Sequence, residues 1–167
     1  NLMALVMARN IAGLENDPSA VFFASDDCHV SLLKALRVMG LKHESLCKIP
    51  TDQNGELNVS HLCSSLKKIK SEGKKCFAVV ATAGTTVRGA IDPLSSIADF
   101  CQKENIWLHV DGAIGGIYGL SQITSEIVNG LSSANSITIN PQKVLGIAKT
   151  SSLLLVANKN HLFSTFS

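Results

Sequence analysis

The segment Cys76 to Thr82 (Cys-Phe-Ala-Val-Val-Ala-Thr) is a continuous apolar, β-branched run with no polar alternation. A strand of that composition is buried on both faces, which occurs chiefly where helices cover a parallel sheet. Shorter β-prone runs recur along the chain at Val21 to Ala24, Cys47 to Pro50, Ile106 to Val110, Ser136 to Ile139 and Ser152 to Val156. Between them lie stretches with apolar residues at helical spacing. These are Leu2 to Ala12, His29 to Met39 ending at Gly40, Asn58 to Ile69 ending near Gly73, Asp92-Pro93 to Glu104, and Ser121 to Leu131. Strand and helix in alternation imply right-handed crossovers between parallel strands, hence an α/β fold with a mainly parallel sheet sandwiched by helices.

Length and composition permit one such domain. The chain has 167 residues, 46% of them hydrophobic, enough for a sizeable core. Fifteen basic and thirteen acidic residues are interspersed without basic runs, so nucleic acid is not the expected partner. Apolar stretches fall well short of the roughly 20 residues that cross a bilayer, so no membrane span is expected. Five cysteines (Cys28, Cys47, Cys63, Cys76, Cys101) lack CxxC spacing and an even count, which favours core roles, no metal and a cytoplasmic location. Residues 1–10 lack the features of a signal peptide and read as a helix entered partway through.

Ligands of parallel sheets sit at the carboxyl edge of the strands. Just past the expected strands stand Thr82-Ala83-Gly84-Thr85-Thr86, Asp111-Gly112-Ala113 and Asn140-Pro141-Gln142-Lys143. A carboxylate directly after a buried strand, as in His109-Val110-Asp111, needs a cationic or hydrogen-bonding partner, and a protonated heterocyclic nitrogen is one. Capping nearby backbone N–H groups is the alternative role for Asp111. A lysine amine beside it could form a Schiff base with an aldehyde, aided by burial that favours the neutral amine. Thr85 and Thr86 could equally satisfy turn backbone or touch a substrate. The glycines form neither a dinucleotide fingerprint nor a P-loop.

Phe77 to Thr86, Asp92-Pro93, Trp107 to Ala113 and Asn140 to Lys143, in this order and spacing, resemble the group II amino-acid decarboxylases, which use pyridoxal 5'-phosphate (PLP). Ser25 to Ser31 resembles the family segment carrying a ring-stacking histidine, and Leu2 to Asn10 the helix after its phosphate-binding turn. The resemblance implies Lys143 as the Schiff-base lysine, Asp111 as partner of the pyridine nitrogen and His29 as the stacking histidine. It implies Ala113 against the other ring face, Thr86 near the phenolic oxygen or the substrate, Asn140 in cofactor or phosphate contact, and His109 in support of Asp111. Residues 1–167 would then be the central portion of a PLP-binding large domain, with the phosphate-binding turn before residue 1 and a catalytic loop and small domain after residue 167. The expected partners are a small amino-acid substrate and, in the intact enzyme, a second subunit in a homodimer. Gln142, Val144 and Ile114 replace the His, aromatic residue and Tyr common in relatives. Lys and Asp activate the cofactor without choosing which bond breaks, so another PLP-dependent lyase, an aminotransferase or a catalytically silent module on this scaffold stand as alternatives.

Overall fold

A computed structural model describes residues 1–149 and 151–167. The apolar runs form strands β1 (Ala20–Ser25), β2 (Leu46–Ile49), β3 (Lys75–Thr82), β4 (Trp107–Asp111), β5 (Ser136–Ile139) and β6 (Leu153–Val156). They make one six-stranded sheet in the order β2-β1-β3-β4-β5-β6. The first five are parallel to one another, as the buried runs predict.

Helices α1 (Leu2–Ile11), α2 (Ser31–Val38), α3 (Val59–Ser71) and α4 (Leu94–Glu104) occupy the intervals where helical spacing was found, and two shorter helices follow, α5 (Pro141–Val144) and α6 (Lys159–Phe166). Side chains alternate across a strand, so β1 serves two cores. Val21 and Phe23 pack with Leu62 and Leu66 of α3 and Ile97 of α4. Phe22 and Ala24 pack with Leu5 of α1 and Leu32 and Leu36 of α2. Phe22 and Phe23 are fully buried, and each such side chain contributes about 1.5–3 kcal/mol through loss of apolar surface to water.

At the β5–β6 side one expected helix is not formed and the last strand reverses. The segment Ser121 to Leu131 is not one helix: it holds a short 3-10 helix at Ser125–Val128, between others at Gly115–Leu120 and Leu131–Ser133. Its hydroxyls bind backbone locally, with Thr124 Oγ1 donating to Tyr118 O at 2.8 Å and Ser121 Oγ accepting from Ile123 N at 3.2 Å, which competes with helical bonding. Strand β6 runs antiparallel to β5 within a sheet that is mainly parallel, as expected. Among the described residues the connection between them carries only the four-residue α5, whereas a parallel return usually runs through a full helix laid across the sheet. Helix α6 lies beyond the last segment read from periodicity; the Asn158 side chain caps it by accepting from Asn160 N at 3.0 Å, and Leu162 packs on the α1–α2 core. No described helix is long and apolar enough to cross a membrane.

Candidate active site

The turn after β3 is held from below by Asp92. Its Oδ2 accepts from Thr82 N and its Oδ1 from Leu57 N, both at 2.7 Å, tying the end of β3 to the chain that follows β2. Burial pushes this carboxyl up to about 6, with Glu56 and Asp27 adding like charge, against the two backbone bonds that favour its ionised form. Within the turn, Gly84 has φ +91°, and a Cβ there would meet Ile114 Cβ at 3.2 Å. A Cβ on Gly115 would strike the Ala83 carbonyl oxygen at 2.7 Å, the oxygen to which Gly115 N donates at 2.8 Å. These two glycines let the turns after β3 and β4 interlock. Thr85 performs the turn role, its Oγ1 accepting from Ala90 N at 3.0 Å, and Thr86 is left exposed toward the cavity.

That cavity, of about 210 Å³, opens at the carboxyl edge of the parallel strands. His29, Thr86, Asp111, Ala113, Asn140 and Lys143 all line it, so the residues proposed from sequence on four separate segments meet at one place. Asp111 is 6% exposed. Its Oδ1 accepts from Ala113 N at 3.2 Å and its Oδ2 from Asn1 Nδ2 at 2.7 Å, so it does bond backbone as the plainer reading held while still facing the cavity. His29 accepts from Ser31 N through Nδ1 at 3.2 Å, which fixes the ring at the start of α2. Asn140 accepts from Ser152 Oγ at 2.7 Å and stands just before Pro141, the first residue of α5.

His109 does not line the cavity. It is fully buried behind Asp111 and reaches it through Asn1, whose Oδ1 lies 2.9 Å from His109 Nε2. Burial pulls its pKa down to about 4 against the opposing pull of Asp111, so the ring is neutral at pH 7. The expected burial of Lys143 is not found: in this chain the lysine is exposed, and of the α5 residues only Pro141 is buried. The other wall residues, Asn1, Asp27, Ser31, Thr138 and Ser152, were not singled out from sequence. Asn1 carries no motif of its own, and only the fold brings it to Asp111. Among the described residues no group of three or more His, Cys, Asp or Glu side chains is arranged to hold a metal ion.

Residues 11–167 match the model of the pyridoxal-dependent decarboxylase conserved domain, and the chain belongs to that family. It is 41% identical over 167 residues to an aromatic-L-amino-acid decarboxylase of Bacillus atrophaeus, covering 99% of this chain and 35% of that protein. Against human cysteine sulfinic acid decarboxylase it is 38% identical over 150 residues, covering 90% of this chain and 30% of the relative. The fold superposes on a crystal structure of mouse CSAD in apo form with a TM-score of 0.93 and 34% identity, covering 99% of this chain and 36% of that one. The chain thus spans about a third of the length of the curated relatives it matches.

Proposed function

We propose that the intact protein decarboxylates an amino acid with PLP held at Lys143. The observation that carries this reading is the convergence of Lys143, Asp111, His29, Ala113, Thr86 and Asn140 on one cavity, in a chain of the pyridoxal-dependent decarboxylase family. The residues fit the group chemically. Asp111 is an acceptor-only carboxylate at the cavity wall, suited to a protonated ring nitrogen. Lys143 offers the amine, His29 a ring with one nitrogen already engaged, and Ala113 a small side chain that leaves room for a flat ring.

When bound, PLP supplies an aldehyde for covalent attachment and a ring that accepts the electron pair released at the substrate Cα. The chain's own residues set the conditions for that chemistry. Asp111 holds a proton on the ring nitrogen by charge, and its backbone bond to Ala113 keeps the carboxylate aimed. Lys143 would hold the cofactor by offering its amine to the aldehyde. Asn140 and Thr86 supply hydrogen-bonding groups at the cavity rim.

The substrate is a small amino acid, and the working unit is a homodimer. Support for the second subunit comes from the open side of the cavity, where Lys143 and His29 are exposed beside Val30, Val87, Val144 and Leu145, an apolar rim suited to burial against another surface. A cytoplasmic location is supported by the five scattered cysteines.

The test is borohydride reduction of the full-length protein with PLP, followed by peptide mapping and assay of amine products. An adduct on Lys143, absent from Lys143→Ala, together with amine formation is the expected result. No adduct in the wild type at saturating PLP would overturn the reading, and an adduct with a keto-acid product in place of an amine would replace decarboxylation by transamination.

A further inference from the structure

Behind Asp111 runs a line of polar groups that no part of the proposed chemistry requires. Trp107 Nε1 donates to Ser136 Oγ at 2.9 Å. Ser136 Oγ lies 2.9 Å from His109 Nδ1, His109 Nε2 lies 2.9 Å from Asn1 Oδ1, and Asn1 Nδ2 donates to Asp111 Oδ2 at 2.7 Å. Trp107, Ser136, His109 and Asp111 are all buried. The second Asn1 Nδ2 hydrogen goes to Ser31 Oγ at 2.8 Å, so both donors of the amide are used.

Both ends of this line have fixed polarity. The carboxylate end fixes the order: Asp111 only accepts, so Asn1 turns Nδ2 to it and Oδ1 to His109 Nε2, while at the other end the Ser136 hydroxyl accepts from the indole N–H and keeps its own hydrogen for Nδ1. Ser136 accepts from Trp107 and donates to His109 Nδ1; His109 therefore carries its proton on Nε2 and donates to Asn1 Oδ1, with Thr138 Oγ1 at 3.4 Å as a secondary acceptor. The opposite tautomer would send an Nδ1–H to the Ser136 carbonyl at 3.2 Å. It would also require the Asn1 amide to flip, setting its oxygen against Asp111 Oδ2 at the 2.7 Å now spanned by an N–H. Two acceptor oxygens at that distance repel, and the flipped arrangement is excluded.

We infer that Trp107, Ser136, His109 and Asn1 form a one-way hydrogen-bond relay, in which Asn1 is a positioning residue that holds the Asp111 carboxylate toward the cavity. The inference rests on the reading of Asp111 as the partner of the PLP ring nitrogen, but the relay itself exists without the cofactor. Asn1 satisfies the buried oxygen of Asp111 and leaves the remaining acceptor directions for a ligand. A side chain lacking either its donor or its acceptor breaks the line at its centre.

The experiment uses the full-length protein with ¹⁵N-labelled histidine, comparing wild type with Asn1→Leu, Asn1→Thr and Ser136→Ala, and assigning His109 by its loss in His109→Gln. In the PLP-free wild type at pH 7 the His109 signals should be those of a neutral ring protonated on Nε2. Asn1→Leu should shift the ring to the Nδ1-protonated form and weaken PLP binding about 10- to 100-fold, the loss expected for one hydrogen bond to a charged group. Asn1→Thr, whose hydroxyl can accept from His109 and donate to Asp111, should restore the Nε2 tautomer. Should Asn1→Leu fail to fold, Ser136→Ala carries the test, since it removes the donor to Nδ1 and should mix the tautomers. Unchanged tautomer and PLP affinity in the variant that folds would overturn the inference. The tautomer is read without cofactor, so a wild type that traps no PLP on Lys143 would sink the decarboxylase reading and leave the relay standing or falling on its own signals.

Discussion

The two sides of the cavity are built differently. On the Asp111 side the carboxylate ends a central strand, is 6% exposed, and has both oxygens engaged. On the Lys143 side the amine projects from a four-residue helix whose residues are exposed apart from Pro141 and the half-buried Gln142, leading to a strand with one face open, where Leu153 and Leu155 are about half exposed. The difference teaches where rigidity resides in this chain: the carboxylate proposed to keep a fixed charge stands on finished structure, and the amine proposed to form and release a bond stands on a short turn.

The comparison breaks most severely if Asp111→Ala proves benign. Removing a buried carboxylate while its Asn1 and Ala113 donors remain should cost about 1–3 kcal/mol in urea unfolding, and weaken PLP binding in the full-length protein by about 100-fold or more, read by spectroscopic titration.

Asp92 sharpens the contrast through pH. Its folded value of about 6 lies above the ordinary 3.8, so between those values the folded protein holds a proton that the unfolded chain has released. Its contribution therefore favours folding below about pH 4 and is lost as pH rises through about 6, a change of roughly 3 kcal/mol at full span. Unfolding at pH 4.5 and 7 should show Asp92→Asn losing most of that dependence relative to wild type. His109 works in the opposite sense: its pKa is lowered from 6.5 to about 4, so its contribution is present above pH 6.5 and is lost as pH falls toward 4.

The smallest effects belong to the open side. Lys143→Ala and Ser152→Ala, at exposed positions, should each change folding stability by under about 0.5 kcal/mol by the same unfolding assay, although the first abolishes the borohydride adduct. A large loss of stability in either would mean that the open side is as tightly built as the Asp111 side.

The parallel part of the sheet was legible because burial on both faces leaves an unbroken apolar run, as in Phe77 to Ala81, and because helical spacing separates such runs. β5 matches its expected bounds through its β-branched Ile137, Thr138 and Ile139, although polar and apolar residues alternate along it. Ser121 to Leu131 misled because Ile123, Ile127 and Leu131 recur every four residues, yet Ile123 and Ile127 face solvent and the hydroxyls between them bond locally. The sense of β6 depends on what its connection forms, a four-residue helix in place of a full crossover helix, and not on its own composition. At the site, the segments after β3, β4 and β5 were legible from strand ends and from family motifs. The support from Asn1 and Ser136 was not, since each is an ordinary polar residue whose partner lies 110 or 27 positions away.

β3 has a further consequence in time. It lies between β1 and β4, with Val79 and Val80 fully buried, so its amides should exchange with solvent only when the whole domain opens. β6, last in the strand order of the described sheet and with alternate residues exposed, should open by local fluctuation. A molecule held between Asp111 and Lys143 spans the slow part of the chain and the fast one, and its arrival should be visible as protection spreading from the first to the second.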